Sequence, residues 1–294
     1  TFREASGKEE KHVVSNPRWV DCSAGMPLNL LVEQALHIAK TGSRAVESES
    51  ADECKKLAIN KYHARDAIKI CTEKNEKNPA DIESVFWRGV AQAKLGDTYP
   101  DLPDFQANFS AIEDFNRVIT ANTEDVLKVL ALGNRAVVHN RIKYFREAIA
   151  DANRLIQIEG ESVLALMTRG EANEKLGNYD DAIQDYSKVI QMNPKKQGTM
   201  EQVLSRRSFI YQHYKKNFDL ALVDKEAQIA INPSSAFLYG SKAEILVKMG
   251  RKQEAVEAYK TAIGLIENDS SRSKEPVYMK ERDSYLAAIR DLSP

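Results

Sequence analysis

The spacing of a few small residues constrains this 294-residue chain more than any other feature. Ala182 lies 34 residues after Ala148, and Ala255 lies 34 residues after Ala221. A fixed period of this size indicates a repeat array, in which one pair of helices recurs and each unit contacts only its neighbours. Such a chain grows by adding units, so its length does not fix its number of domains.

The units share a short set of landmarks. The clearest unit runs from Arg169-Gly170 through Gly177, Tyr179, Ala182, Ile183, Tyr186 and Ile190 to Pro194. In every unit the first helix places a basic residue directly before a small one, as Arg88-Gly89, Arg135-Ala136, Arg169-Gly170, Arg207-Ser208 and Lys242-Ala243. The small residue predicts a close approach of the two helices. In three units an aromatic residue follows the landmark alanine by four positions and is expected to fill the gap toward the next unit: Phe115, Tyr186 and Tyr259.

These residues resemble the tetratricopeptide repeat family, strongly over about 80–267 and weakly over about 47–79. The closing Asn193-Pro194 and Asn232-Pro233 add to the resemblance. The family's tryptophan near the start of the first helix is not matched, since Trp87 lies near that place but not on it. The period also breaks twice, which predicts extra residues around Ala121–Glu124, and at Lys195–Thr199 plus one in the Lys215–Asn217 turn.

The resemblance implies an all-α, right-handed superhelix of five to six helical hairpins. The predicted organisation is an extended or flexible arm over 1–27, N-terminal helices with a degenerate repeat over 28–79, the array over 80–267, and a linker with a capping helix over 268–294. Leu28–Lys40 carries a helical apolar pattern. The Pro- and Asp-rich insertion Asp97–Asn108 is expected to form a surface loop. The cap should use one face of Pro276–Leu292: Tyr278, Arg282, Tyr285, Leu286, Ile289 and Leu292.

Composition excludes several classes of protein. The 42 Lys and Arg residues balance the 43 Asp and Glu residues, which argues against a nucleic-acid binder. No apolar stretch is long enough to span a bilayer. Three cysteines are too few for a disulfide framework, which favours a reducing compartment. We therefore expect a cytoplasmic protein, or one in an organelle interior such as the mitochondrial matrix if a presequence preceded Thr1.

No residue pattern points to catalysis, a cofactor or a metal. Cys54, His63 and Cys71 match no zinc spacing and are interpreted as ordinary hairpin residues. The carboxylate pairs Glu113-Asp114 and Asp180-Asp181 lie on second helices or at their starts. Asp180 and Asp181 are expected at the N-terminal end of a helix, where acidic residues favour the helix dipole. The chain is therefore predicted not to be an enzyme.

In the tetratricopeptide repeat family the first helices line a concave groove, so the resemblance implies a protein or peptide partner there. Aromatic and Arg side chains dominate binding hot spots, and Trp87 beside Phe86 is the predicted anchor. The candidate groove residues are Phe86, Trp87, Val90, Asn134, Val137, Arg141, Met167, Thr168, Glu171, Arg206, Phe209 and Glu244.

The predicted function is an interaction scaffold or adaptor, as a subunit or assembly factor of a larger complex. One alternative is a co-chaperone that binds C-terminal carboxylates through a Lys, Asn and Arg clamp. Asn134 matches the middle position, but Leu164, Thr168, Phe86 and Val90 occupy the others. Another alternative is an RNA-binding helical repeat, which strongly salt-dependent RNA binding would support.

Overall fold

The computed structural model describes residues 49–98, 105–194, 197–269 and 275–292, which form helices joined by short turns and contain no strand. The α-helices are α1 (Glu49–Ile59), α2 (Ala64–Lys77), α3 (Ile82–Thr98), α4 (Phe105–Thr120), α5 (Asp125–Arg141), α6 (Phe145–Glu159), α7 (Val163–Leu176), α8 (Tyr179–Gln191), α9 (Gln197–Ile210), α10 (Phe218–Ile231), α11 (Ala236–Lys248), α12 (Lys252–Glu267) and α13 (Pro276–Leu292). A 3-10 turn, Lys61–His63, precedes α2, and a π-helix, Tyr211–Lys215, follows α9.

The described helices fall into two compact units, one containing α1 to α9 and the other everything from Tyr211 onward. Within the first unit, α1 with α2, α3 with α4, α5 with α6 and α7 with α8 form helical hairpins. The first helices of successive hairpins also touch one another, as α3 with α5 and α5 with α7. The predicted all-α array of hairpins is confirmed. The predicted domain boundaries stay a prediction, and the arm over 1–27 and the helix over Leu28–Lys40 lie outside the described residues.

In two hairpins the glycine of the first helix lets an aromatic ring enter its own hairpin. A Cβ atom added to Gly89 would lie 2.9 Å from Cε1 of Phe115, and one added to Gly170 would lie 2.8 Å from Cε1 of Tyr186. These rings therefore lie against their own hairpin's glycine, so the expectation that they fill the gap toward the next unit is wrong for both. Tyr259 agrees with this expectation, since its ring centroid lies 5.4 Å from that of Tyr285 in the next helix.

The basic residue before the small one ties the two helices of a hairpin together. The Arg169 Nε and Nη2 atoms donate hydrogen bonds of 2.9 and 2.7 Å to the two carboxylate oxygens of Asp185 on α8. Arg88 makes the same paired contact with Asp114, at 2.7 and 2.6 Å. Each of these hydrogen bonds to a carboxylate raises the pKa of its arginine. In each case the aspartate lies three residues after the landmark alanine, as does Asp151, the partner of Arg135.

The same basic residue also reaches back to the preceding hairpin. Its partner there is always the polar residue five positions after that hairpin's landmark alanine or its equivalent, Ala67. The contacts are Arg88 with Thr72, Arg135 with Asn116, Arg169 with Asn153, Arg207 with Ser187, and Lys242 with Glu226. We call the arginine, its own aspartate and this third residue the cross-hairpin bracket. Asp114 therefore has a structural role within its bracket.

The irregular spacings have identifiable causes. Ala121–Glu124 is the link between α4 and α5, as predicted. The insertion is smaller than predicted, because Asp97 and Thr98 belong to α3 and Phe105–Asn108 to the first turn of α4. Residues 99–104 lie outside the described ranges. Downstream, the π-helix Tyr211–Lys215 accommodates an extra residue just before the turn at Lys216, whose φ is 53°.

The C-terminal helix α13 spans Pro276–Leu292, the range that the sequence predicts. Tyr285 is buried, and Tyr278, Ile289 and Leu292 pack against the core of the second unit. Leu286 does not belong to this face, since 42% of its surface is exposed. The helix therefore packs on the end of the second unit through a narrower stripe than predicted.

A disulfide joins Cys54 of α1 to Cys71 of α2, and both residues are buried. The interpretation of these cysteines as unpaired hairpin residues is therefore wrong. Their helices face each other, which brings two residues 17 positions apart within bonding distance. Because such bonds persist mainly in oxidising compartments, the argument from cysteine count for a reducing compartment no longer holds.

We predict that Asp185→Ala destabilises the chain by about 3 kcal/mol, because it leaves Arg169 without its carboxylate in a largely buried place. Asp181→Ala is the matched control: Asp181 is exposed in the first turn of the same helix and should cost less than about 1 kcal/mol. Urea unfolding of both variants measures the difference, and equal effects would contradict a structural role for the bracket.

We also predict that Cys71→Ser lowers the free energy of unfolding by about 3 kcal/mol, because closing a loop of this length restricts the unfolded chain. In the wild-type chain, a thiol assay under denaturing, non-reducing conditions should detect Cys22 alone. After reduction it should detect all three cysteines. Three reactive thiols before reduction would show that the disulfide does not form.

Candidate binding face of the first helices

Helical geometry places certain residues of α5 and α7 away from the second helices. Successive residues turn by about 100°, so Asn134 lies about 200° round the helix from Ala136, and Thr168 about 200° from Gly170. Gly170 faces Tyr186 on α8. Asn134 and Thr168 therefore point to the opposite side, which we call the inner face. It is formed by Leu130, Asn134 and Val137 of α5 and by Leu164, Thr168 and Glu171 of α7.

The candidate groove residues are mostly closed to solvent, contrary to what an open groove would show. Glu244 is exposed, and Arg141 and Phe209 are half-buried. The other nine have at most 5% of their surface accessible: Phe86, Trp87, Val90, Asn134, Val137, Met167, Thr168, Glu171 and Arg206. A role of these residues in partner binding stays a prediction.

Trp87 is not the exposed anchor that the sequence suggests. Only 4% of its surface is accessible, and its indole nitrogen donates a 3.1 Å hydrogen bond to Glu83 one turn earlier. The Lys55 ammonium of α1 lies 5.5 Å from its ring centroid, and Phe86 packs edge-on at 4.9 Å. Trp87 thus packs against the preceding hairpin, so its side chain stabilises the array.

Arg141 holds the base of the insertion. Its Nη1 atom donates to the carbonyl oxygen of Ala93 at 2.6 Å and to Oδ1 of Asn108 at 3.2 Å, and Nη2 lies 3.4 Å from Asp97. Burial lowers the pKa of this guanidinium. The side chain therefore fixes the end of α3 and the start of α4, and only part of it remains accessible to a partner.

A buried ionic network joins α7 to α9. Arg206 lies 3.2 Å from Glu171 and donates a 3.1 Å hydrogen bond to Glu174. Tyr186 donates its hydroxyl proton to the same Glu174 oxygen at 2.8 Å. Burial, and then the nearby Glu174 and Glu171 charges, raise the pKa of Tyr186 well above its ordinary value. Arg206 therefore acts within the fold and is a poor choice for testing partner binding.

Two polar atoms on the inner face are buried without a hydrogen-bond partner among the described residues. They are Oδ1 of Asn134 and Oγ1 of Thr168, which occupy the same register on successive first helices. The Asn134 amide nitrogen does have a partner, the carbonyl oxygen of Leu130 at 2.8 Å. An unsatisfied buried group costs about 1–3 kcal/mol. Gln92 Oε1 and Asn140 Oδ1 are buried without a partner as well, but only Asn134 and Thr168 share this register. Each such atom calls for an explanation, and a bound ligand is one of them.

The residues that most resemble acid–base machinery lie inside a hairpin. His139 Nδ1 is 3.0 Å from Asp151, which Arg135 also binds. Burial opposes ionisation of Asp151, but hydrogen bonds from His139 and Arg135 outweigh it, and the pKa falls below its ordinary value. Asp151 is thus an ionised member of a bracket.

Within the described ranges, no three His, Cys, Asp or Glu residues are grouped to hold a metal ion. His63 instead lies beside Asp66, and both cysteines are in the disulfide. None of the described helices combines the length and the apolar character that crossing a bilayer requires.

Repeated helical hairpins, joined by the same bracket and sharing one inner register, define a helical-repeat protein. The tetratricopeptide repeat family model matches residues 163–196, and a second tetratricopeptide repeat model matches residues 238–269. The chain therefore contains tetratricopeptide repeats over these two ranges.

Two known proteins resemble parts of this chain in sequence. Protein unc-45 homolog B of Xenopus laevis is 25% identical over 193 residues, 64% of this chain and 20% of that protein. DnaJ protein P58IPK homolog A of Oryza sativa subsp. japonica is 24% identical over 170 residues, 54% of this chain and 35% of that protein. The chain thus spans only about a fifth to a third of these relatives.

Solved structures support the fold alone. The crystal structure of the APC/C hetero-tetramer Cut9-Hcn1 matches with a TM-score of 0.53 and 11% identity, over 88% of this chain and 46% of that chain. Yeast Tom70 matches with a TM-score of 0.51 and 16% identity, over 89% of this chain and 58% of that chain. Proteins of this family act as protein-interaction scaffolds, which is the general role that the fold supports.

Lys94 of α3 provides a pH-dependent test of the packing between α1 and α3. It is 3% exposed, it donates to the carbonyl oxygen of Ile59 at the end of α1, and burial lowers its pKa to about 8. The unfolded chain, with an ordinary lysine pKa near ~10.4, binds more protons between these values. We therefore predict that the free energy of unfolding rises from pH 8 to pH 10. Lys94→Met should lack this rise in denaturant titrations; the same rise in the variant would refute the assignment.

Proposed function

We propose that this chain is a non-enzymatic interaction scaffold whose inner face binds an extended peptide or a helix of a partner protein, as a subunit or assembly factor of a larger complex. The observation that carries the proposal is the pair of unpaired acceptors, Asn134 Oδ1 and Thr168 Oγ1, at one register of successive first helices. The brackets hold these helices rigidly, so binding would order little of the scaffold.

The chemistry of the inner face favours a partner that donates hydrogen bonds. Both unpaired atoms can accept, and Leu130, Val137 and Leu164 beside them are apolar. A peptide with backbone N–H groups and small apolar side chains would satisfy both kinds of surface. Terminal carboxylates do not fit, because Leu164 and Thr168 occupy the positions where a clamp would need Lys and Arg. These two residues support the scaffold proposal over a carboxylate-binding co-chaperone.

Thr168→Val separates binding from stability. The valine removes a buried hydroxyl that has no partner, so it should stabilise the fold by about 1 kcal/mol. It also removes an acceptor for the partner, so we expect affinity to fall about fivefold, which is the effect of one hydrogen bond of about 1 kcal/mol. Thermal unfolding, and affinity purification from source-cell extract with quantitative mass spectrometry, measure the two effects.

Thr120→Val is the matched control, because Thr120 is exposed at the end of α4 and lies outside the inner face. It should leave the co-purified proteins unchanged. Partners identified with the wild-type chain would then be titrated by calorimetry against both variants and against Asn134→Leu. If every partner bound Thr168→Val and Asn134→Leu as tightly as the wild type, binding at the inner face would be refuted.

A further inference from the structure

The register of the inner face continues onto α3. Asn134 and Thr168 each stand directly before the arginine of a bracket, and Trp87 stands directly before Arg88 on α3. Trp87 is buried, and α1 packs against the helix that carries it. The Lys55 ammonium of α1 lies 5.5 Å from the centroid of the Trp87 ring. The helix α1 therefore restricts access to this position of the register.

The noncovalent contacts that hold α1 in place are weak. The helix has 11 residues, fewer than the roughly 12–15 that an isolated helix needs in water. Of its side chains that the structure describes, Cys54 and Ala58 are buried, and Leu57 and Ile59 are only partly buried against the core. Lys94 of α3 donates to the Ile59 carbonyl oxygen, but burial lowers the pKa of its ammonium to about 8, so this contact carries a desolvation cost. The helix therefore depends strongly on its covalent tie.

We propose that the Cys54–Cys71 disulfide is a redox-controlled clasp, which holds α1 against Trp87 and releases it on reduction. The bond ties α1 to α2, and α2 has contacts of its own with α3. A crosslink restricts the opened states of α1 in the same way as it restricts the unfolded chain. Once the bond is broken, a short helix with little buried apolar surface remains, and its local opening costs far less free energy.

The reductant of the clasp is a dithiol. Its thiolate attacks one sulfur of the disulfide and forms a mixed disulfide, and the other cysteine leaves as a thiolate that takes up a proton. The second thiol of the reductant then displaces the remaining cysteine. Two electrons and two protons thus pass to Cys54 and Cys71, the reductant becomes a disulfide, and the reverse exchange closes the clasp. Both cysteines are at most 1% exposed, so the attack follows a local opening of α1.

Release of α1 extends the binding surface by one hairpin. This consequence rests on the proposed function, whereas the release itself does not. Removal of Lys55 exposes one side of the Trp87 ring, and aromatic side chains are among the strongest anchors at protein interfaces. A peptide bound across α5 and α7 can then contact α3 as well. The reduced chain should therefore bind partners more tightly than the oxidised chain.

Hydrogen exchange measured by mass spectrometry tests the clasp without any partner. The full chain is compared before and after reduction with dithiothreitol, and the backbone amides of Glu49–Ile59 are followed. We expect these amides to exchange about a hundredfold faster after reduction, which is the effect of opening a loop of this length. The amides of α7 and α8 should exchange at an unchanged rate, because each hairpin of a repeat array contacts only its neighbours.

Tryptophan fluorescence reports on Trp87 directly. In a Trp19→Phe background, Trp87 is the only tryptophan of the chain. Reduction should raise the acrylamide quenching constant of its fluorescence about threefold, because the opening of α1 uncovers one side of the ring.

Two variants assign the response to the disulfide. Cys22→Ser is the matched control, because it removes the cysteine that lies outside the bond, and it should respond to dithiothreitol as the wild type does. Cys54→Ala combined with Cys71→Ala should exchange rapidly over Glu49–Ile59 without reductant and show no response to it.

Four results would overturn the proposal: unchanged exchange of Glu49–Ile59 on reduction, an equal acceleration in α7 and α8, unchanged quenching of Trp87, or a response of the double variant to dithiothreitol. The second result would mean that the disulfide stabilises the whole array and not α1 in particular. Because no partner enters these assays, their failure is distinguishable from retained partner binding by Thr168→Val, which bears on the proposed function alone.

Discussion

The cross-hairpin bracket is the interaction on which the rest of the array depends. Arg169 binds Asp185 within its own hairpin and Asn153 in the one before, so a single guanidinium fixes three helices. Apolar packing alone would hold helices together at many similar offsets, because it has little directional preference. A planar guanidinium that forms paired hydrogen bonds permits only one offset between the two helices. The bracket therefore sets the register that keeps Asn134 and Thr168 in line.

The bracket also explains why the small residue follows the arginine. The arginine reaches across to the aspartate only if the two helices approach closely, and Gly170 permits this by leaving room for Tyr186. Tyr186 in turn carries its hydroxyl to Glu174, which anchors Arg206 of the next first helix. One close approach thus supports polar contacts on both sides of α7.

The sequence predicts this fold well because periodicity records local geometry. The spacing of Ala148, Ala182 and their equivalents locates the hairpins, and the apolar stripe of Pro276–Leu292 gives the bounds of the last helix correctly. The sequence does not show which neighbour a side chain meets. Trp87 looks like an exposed anchor until α1 is packed beside it, and Cys54 pairs with Cys71 only when α1 and α2 face each other. The bracket can in principle be predicted from the sequence, since its arginine, aspartate and polar partner recur at fixed offsets from the landmark alanine.

The inner face carries two buried acceptors that the fold leaves without a hydrogen-bond partner. Elsewhere the buried charges of Asp114, Asp151 and Asp185 are all paired. On the inner face, Asn134 and Thr168 keep unpaired acceptors at a cost that valine or leucine would avoid. Packing has no use for these two oxygens, and the bracket does not involve them. We attribute both oxygens to the proposed partner contact, in which each could accept a hydrogen bond.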